Sequence, residues 1–237
     1  MSPKRLLLFD IDGTILTTVR RAFERPFSES IREVLGVEVD TVSYRAGGKT
    51  DPQMIHELLA GSGFSHEAVE SAIPAIRERY LDKFRHHVRT REDAPLEPGV
   101  PALLEILSKR GDAVLGLLTG NFEAGARIKL GVHGLDRYFK FGAFGDGAAD
   151  RSLLPERAVE AARSSTGIHF RGKDIVIIGD TPHDITCGRT LGVRTIAVAT
   201  GLYSSEILRL ENPDYLFEDL TDRERVLGAL LLDWTRG

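Results

Sequence analysis

The sequence predicts an α/β fold, a parallel sheet with helices on both faces, interrupted after its first strand by an all-helical insert. Three observations carry that expectation. Residues 6–9, 113–118, 175–178 and 195–199 are short apolar runs, rich in Val, Ile and Leu, and they run into Gly, Asp or Thr as strands buried on both faces do. Segments with helical spacing lie between them, the alternation of a parallel sheet with right-handed crossovers. Residues 17–97 hold no good buried strand, and a stretch of that length exceeds any ordinary connection and needs a small core of its own.

In chain order, strand 6–9 leads into the insert, where helical patterns cover 22–35, 52–60 and 67–84. Pro98-Gly99 then opens helix 100–109, with Val100, Leu103, Leu104 and Leu107 on one face. Strand 113–118 precedes helix 122–130, closed by Gly131, and helix 155–165 follows. Strand 175–178 is succeeded by helix 185–191, closed by Gly192; strand 195–199, a weaker strand 215–217 and helix 222–234 complete the chain. Proline or a small polar residue at helix starts and glycine at their ends are the expected punctuation. The expected domains are a core of 1–16 with 98–237, and an inserted helical domain of 17–97. Strand order stays open.

At 237 residues, one core with a smaller inserted module fits the length better than two full domains. A net charge of −4 with scattered arginines excludes the basic stripe of a nucleic-acid binder. The single cysteine, Cys187, rules out an intramolecular disulfide and fits a reducing compartment. The apolar run after Lys4-Arg5 is too short for a signal or a span, and no other run reaches about eighteen residues. The expectation is a cytoplasmic protein without membrane partners. The sequence is silent on oligomeric state.

Ligands of open parallel sheets gather beyond the carboxyl ends of the strands. The first strand ends in Asp10-Ile11-Asp12. In an extended segment residues i and i+2 share a side, so both carboxylates are expected to converge at the strand mouth. Their repulsion calls for a divalent cation. Asp180 and Asp184 arrive at the same edge after the third run, giving Asp10, Asp12, Asp180 and Asp184 as candidate ligands of Mg2+. Thr119-Gly120-Asn121, between a strand and a helix, offers a hydroxyl and free N–H groups as a phosphate seat. A fixed cation is still needed, and Arg151 and Lys129 are the candidates.

With these motifs in this order, the chain resembles the haloacid dehalogenase superfamily in its phosphatase branch. Motif one reads Asp10-Ile11-Asp12-Gly13-Thr14, motif two Leu118-Thr119-Gly120-Asn121, and motif four Gly179-Asp180 with Asp184. Gly47-Gly48-Lys49-Thr50-Asp51 is similar to the Gly-x-Thr-Asp segment in the helical cap of phosphoglycolate-phosphatase-like members. The resemblance implies a Rossmann-like core with an inserted cap domain. It also implies an Asp10 nucleophile, an Asp12 general acid–base, and a phosphoryl group held by Thr119 and a cation. Motif three departs from the family: the usual Lys-Pro pair is absent from the stretch 145–151, and the cation's role is carried over to Arg151, with Lys129 in reserve.

The expected activity is therefore a magnesium-dependent phosphatase acting on a small phosphorylated metabolite, phosphoglycolate first among them, through an aspartyl-phosphate intermediate. A phosphoglucomutase-like transferase would keep every core motif, and a receiver-like phosphate-binding module would keep the aspartate and magnesium but lack the insert. Gly120 and Asn121 are expected at the phosphate, and Arg45 and Lys49 are candidates for an anionic substrate tail. Several features have plainer readings. Asp184 can cap its helix, Lys129 reads as a surface or stabilising charge, His183 has no partner histidine at ligand spacing, and adjacent His86-His87 diverge on a helix.

Overall fold

The computed structural model describes residues 4–146 and 149–231. Six strands form one sheet: β1 (Arg5–Phe9), β2 (Ala113–Leu118), β3 (Gly142–Ala143), β4 (Ile175–Gly179), β5 (Arg194–Val198) and β6 (Tyr215–Phe217). Their order is β3-β2-β1-β4-β5-β6 and every pairing is parallel. The chain steps one way from β1 to β2 and the other way from β1 to β4. The crevice at this switch point is where ligands of such sheets bind. Phe9 is in register with both Leu117 and Ile178, so the residues following all three strands emerge side by side.

Nine α-helices accompany the sheet among the described residues: α1 (Arg20–Leu35), α2 (Asp51–Leu58), α3 (His66–His87), α4 (Val100–Ser108), α5 (Glu123–Gly131), α6 (Leu154–Thr166), α7 (Pro182–Thr186), α8 (Ser205–Leu210) and α9 (Arg223–Leu231). Alternation along β1 explains why it reads as one apolar run. Leu7 and Phe9 join a core with Leu103, Leu107 and Val226, while Leu6 and Leu8 pack with Leu154, Ala158 and Ala162 of α6. Each such side chain, fully buried, contributes roughly 1.5–3 kcal/mol. No helix among the described residues is long and apolar enough to cross a membrane.

Helices α1, α2 and α3 lie between β1 and α4. An aromatic ladder joins α1 to α3, with Phe27–Tyr80 and Tyr80–Phe84 ring centroids each 5.1 Å apart. The two chain passages leading into and out of this insert run antiparallel: Thr17 N–H donates to Pro95 O at 2.9 Å and Val19 N–H to Asp93 O at 3.0 Å. Thr50 caps α2 and Ser65 caps α3, each accepting a backbone N–H with its hydroxyl.

One expectation needs correction, and two elements were not foreseen. The helix expected over 185–191 is instead α7 followed by a short 3-10 turn, Arg189–Leu191. The capping box of Thr181 and Asp184 pulls the helix start back to Pro182, and Gly188 breaks it where a Cβ would meet Ile177 and Val193. Strand β3 has only two residues and no apolar run to announce it, and the short α8 carried no clear periodicity. Of the final expected helix, residues 232–234 lie outside the described residues, as do Gly147 and Ala148 of the motif-three stretch.

Candidate active site

Asp10 follows the last residue of β1, and its N–H donates to Ile178 O at 2.9 Å. It is 5% exposed. Its carboxylate, with those of Asp180 and Asp184, forms a buried nest in which one oxygen of each lies within 4.8 Å of the others. Gly13, at φ +82°, lets the chain turn away immediately, and a Cβ there would strike the Asp180 carboxylate. Thr14 Oγ1 donates to Asp180 Oδ1 at 3.2 Å.

Charge in the nest is unbalanced. Arg151 contacts Asp184 and lies 3.3 Å from Asp10, one cation against three carboxylates. Burial, opposed by Arg151 and aided by Asp184, pushes Asp10 up to about 7. Burial, then Asp184 and Asp10, drives Asp180 far above the usual carboxylate range. Arg151 is itself buried, and its Nε has no hydrogen-bond partner among the described residues. A buried guanidinium with an unspent N–H beside a carboxylate surplus suits a phosphoryl oxygen, and the surplus suits a divalent cation.

Asp184 caps its helix and also pairs with Arg151. Its Oδ2 accepts from Thr181 N–H at 3.0 Å and Thr181 Oγ1 at 2.7 Å, completing the cap of α7, while Oδ1 meets Arg151.

Asp12 departs from expectation. Strand β1 stops at Phe9, and the Asp12 carboxylate is not among the three that form the acidic nest. It pairs with Lys129 and accepts from Thr18 Oγ1 at 2.7 Å and Asn121 Nδ2 at 3.0 Å. Burial alone would raise Asp12; the Lys129 ammonium and the bonds from Lys129, Thr18 and Asn121 hold it below the ordinary range.

The reading of Lys129 as a surface charge is also corrected. It is 4% exposed and bridges Asp12 to Asn121 Oδ1. A signal for this was present: Phe122, Ala126, Lys129 and Leu130 recur at helical spacing on the buried face, so this lysine interrupts an apolar stripe. Both candidate cations therefore reach the site, Arg151 beside Asp10 and Lys129 beside Asp12.

Thr119 is fully buried at the end of β2, its N–H bonded to Ala143 O at 3.0 Å and its hydroxyl accepting from Asn121 Nδ2 at 3.0 Å. Gly120 is needed for close approach, because a Cβ there would collide with Lys49 O. Lys49 itself spends its ammonium on Glu57 and on Tyr44 Oη at 3.2 Å, and Arg45 is exposed. Among the described residues neither joins the bonded set around Asp10 and Asp12.

Asp51 is the residue that sequence reasoning missed. Its N–H donates to Gly120 O at 2.8 Å, and its Oδ2 accepts from Phe122 N–H at 2.7 Å. Burial, only partly offset by Lys129, pushes it up to about 7. The same loop sends Thr50 Oγ1 to Ala149 O at 3.1 Å and sets Gly48 against Thr181 and His183. One loop of the insert thus touches the loops carrying Thr119, Arg151 and Asp184.

Comparison with known proteins agrees with this geometry. The HAD-hydrolase-like family model matches residues 154–223, the stretch holding Asp180 and Asp184. The chain is 26% identical over 230 residues to pyrophosphatase PpaX of Oceanobacillus iheyensis, spanning 94% of this chain and 97% of that one. It is 26% identical over 228 residues to phosphoglycolate phosphatase 1 of Pseudomonas aeruginosa, spanning 92% and 78%. Of solved structures, CbbY from Rhodobacter sphaeroides in complex with phosphate matches at TM-score 0.71 and 20% identity, over 97% of this chain and 100% of that one, a likeness of fold. The chain is thus similar to haloacid dehalogenase-like hydrolases over residues 154–223, and to the two named phosphate-ester or pyrophosphate hydrolases over most of its length.

Proposed function

We propose that the chain is a magnesium-dependent phosphatase of a small phosphorylated metabolite, with phosphoglycolate the first candidate, acting through an aspartyl-phosphate on Asp10. The observation that carries this reading is the buried nest of Asp10, Asp180 and Asp184 with a single guanidinium in it. The deficit of positive charge is what a divalent ion and a phosphoryl group bound together would settle. Asp10, Asp180 and Asp184 would hold Mg2+, which supplies charge neutralisation at the non-bridging oxygens.

The chain's own residues account for the remaining chemistry. Arg151 and the Thr119 hydroxyl, with N–H groups of the Gly120–Asn121 turn, seat the phosphoryl oxygens. Asp10 forms a bond to phosphorus in line with the leaving oxygen, which takes a proton from Asp12 as its own bond to phosphorus breaks. Asp12 then removes a proton from water, whose oxygen attacks phosphorus and releases Asp10. Without ligand, Lys129 keeps Asp12 in its base form. The acid form used first requires that the arriving phosphate dianion draw Lys129 away.

Residues 17–97 are read as a cap domain over a core of 1–16 and 98–237. The paired antiparallel passages at Thr17 and Val19 support this, as does the contact of the 47–51 loop with three site loops. The two named relatives, a pyrophosphatase and a phosphoglycolate phosphatase, support small anionic substrates. The lone, half-buried Cys187 accords with a cytoplasmic setting.

The test is phosphate release from phosphoglycolate, pyrophosphate and hexose phosphates, with Mg2+ and with excess chelator, alongside Asp10→Asn. Release that needs Mg2+ and disappears in a folded Asp10→Asn protein is expected. Comparable turnover by that variant would remove Asp10 as nucleophile, and undiminished rates in chelator would remove the metal.

A further inference from the structure

We propose a second metal site, for a zinc-type divalent transition ion, built by His56, His66 and Glu70 where α2 meets α3. It is independent of the phosphatase reading and uses none of its residues. His56 stands in the last turn of α2, His66 is the first residue of α3, and Glu70 follows one turn later on the same face. His56 Nε2 lies 2.6 Å from Glu70 Oε1, and His66 Nε2 lies 4.0 Å from the same oxygen. The two imidazoles stack with centroids 4.4 Å apart and planes 21° apart. One donor atom of each residue falls within 4.8 Å of the other two.

The donor set decides which ion fits. Two imidazoles and one carboxylate are the ligands of open four-coordinate zinc sites, which leave one position to water. Magnesium prefers an all-oxygen shell, such as the acidic nest, so the two sites sort ions by chemistry. Donors about 2.0 Å from a tetrahedral ion lie about 3.3 Å from one another. The present 2.6 and 4.0 Å separations straddle that value. The residues free to close the difference are the exposed ones: the His66 and Glu70 side chains are 77% and 48% exposed, while His56 at 17% is held in place.

The site's consequence lies in the insert. The loop joining α2 to α3 contains Gly61 and Gly63, both at positive φ, and is closed by no disulfide. An ion bound to His56 on one side and to His66 and Glu70 on the other would staple the two helices across that loop. The insert's stability is then coupled to metal supply, without a change in the chemistry at Asp10.

Metal-free protein is titrated with ZnCl2 by calorimetry in millimolar MgCl2, which occupies the oxygen site. Cobalt(II) absorption in the visible range reports nitrogen-containing four-coordination directly. Wild type is expected to bind one zinc equivalent and to melt at a higher temperature with zinc than without. His56→Ala and Glu70→Gln are expected to lose that equivalent or weaken it at least tenfold, with circular dichroism and magnesium-supported turnover unchanged. Zinc binding of equal stoichiometry and affinity in wild type and both variants would overturn the proposal. So would the absence of any zinc equivalent in wild type.

Discussion

Replacing Asp51 by Asn removes one buried charge and keeps the shape that meets Phe122. Asp51 is 6% exposed, and burial pushes its carboxyl up to about 7 in the folded protein, against about 3.9 in an unfolded chain. A raised carboxyl binds its proton more tightly when folded, so its penalty is absent below the unfolded value and grows as pH rises towards the folded one. Integrated over those two values, the penalty is about 1.5 kcal/mol at pH 5 and about 4 kcal/mol at pH 8. Asparagine retains an oxygen for the Phe122 N–H, so its change independent of pH stays within about 1 kcal/mol. Asp10 and Asp180 titrate alike in both proteins and drop out of the difference. The variant's advantage should therefore grow by about 2.5 kcal/mol between pH 5 and pH 8, which for a chain of this size is roughly 5–10 °C in Tm. Thermal melts of wild type and Asp51→Asn across that range measure it. Parallel Tm-against-pH curves would show that Asp51 carries no strained charge and refute the reasoning.

Lys129→Met removes the cation from Asp12 while preserving the length of the side chain. Because the Asp12 side chain keeps 38% of its surface open, solvent discounts the loss to about 1–3 kcal/mol; kcat should fall at least a hundredfold, and unchanged kcat with unchanged Tm would return Lys129 to the role of a plain helix charge. Gly120→Ala drives a methyl group into Lys49 O and should cost about 1–3 kcal/mol while raising KM, measured by denaturant unfolding and initial rates; a silent variant would mean that the 47–51 loop does not press on the phosphate seat.

How much of this was legible depended on whether a residue's role is set locally. The strands at 6–9, 113–118, 175–178 and 195–199 were visible because burial on both faces forces a continuous apolar run. Strand β3 was invisible because two residues paired to Leu117 and Leu118 need no pattern of their own. The meeting of Asp10 with Asp180 was legible because each directly follows a strand, where ligands of such sheets collect. The partners of Asp12 were not legible, because Lys129, Thr18 and Asn121 reach it from beyond the end of β1. Lys129 was undervalued because a lysine's usual exposure outweighed its place on the apolar face of α5.

Asp51 shows a different limit, since nothing within its own segment determines what its carboxylate does. Its partner, the Phe122 N–H, comes from 71 positions away, and the cation that tempers its charge, Lys129, stands on the helix that follows. Lys129 in turn is fixed by Asp12 and Asn121. The insert loop, the phosphate seat and the second aspartate of motif one therefore share a single buried charge arrangement. Separating the insert from the core would break the Asp51 bonds to the Phe122 N–H and to Gly120 O. Asp51 then regains solvent, and its carboxyl falls back towards the ordinary range. Contact between the insert loop and the core is thus opposed by the charge on Asp51 and favoured by its bonds to Gly120 O and the Phe122 N–H.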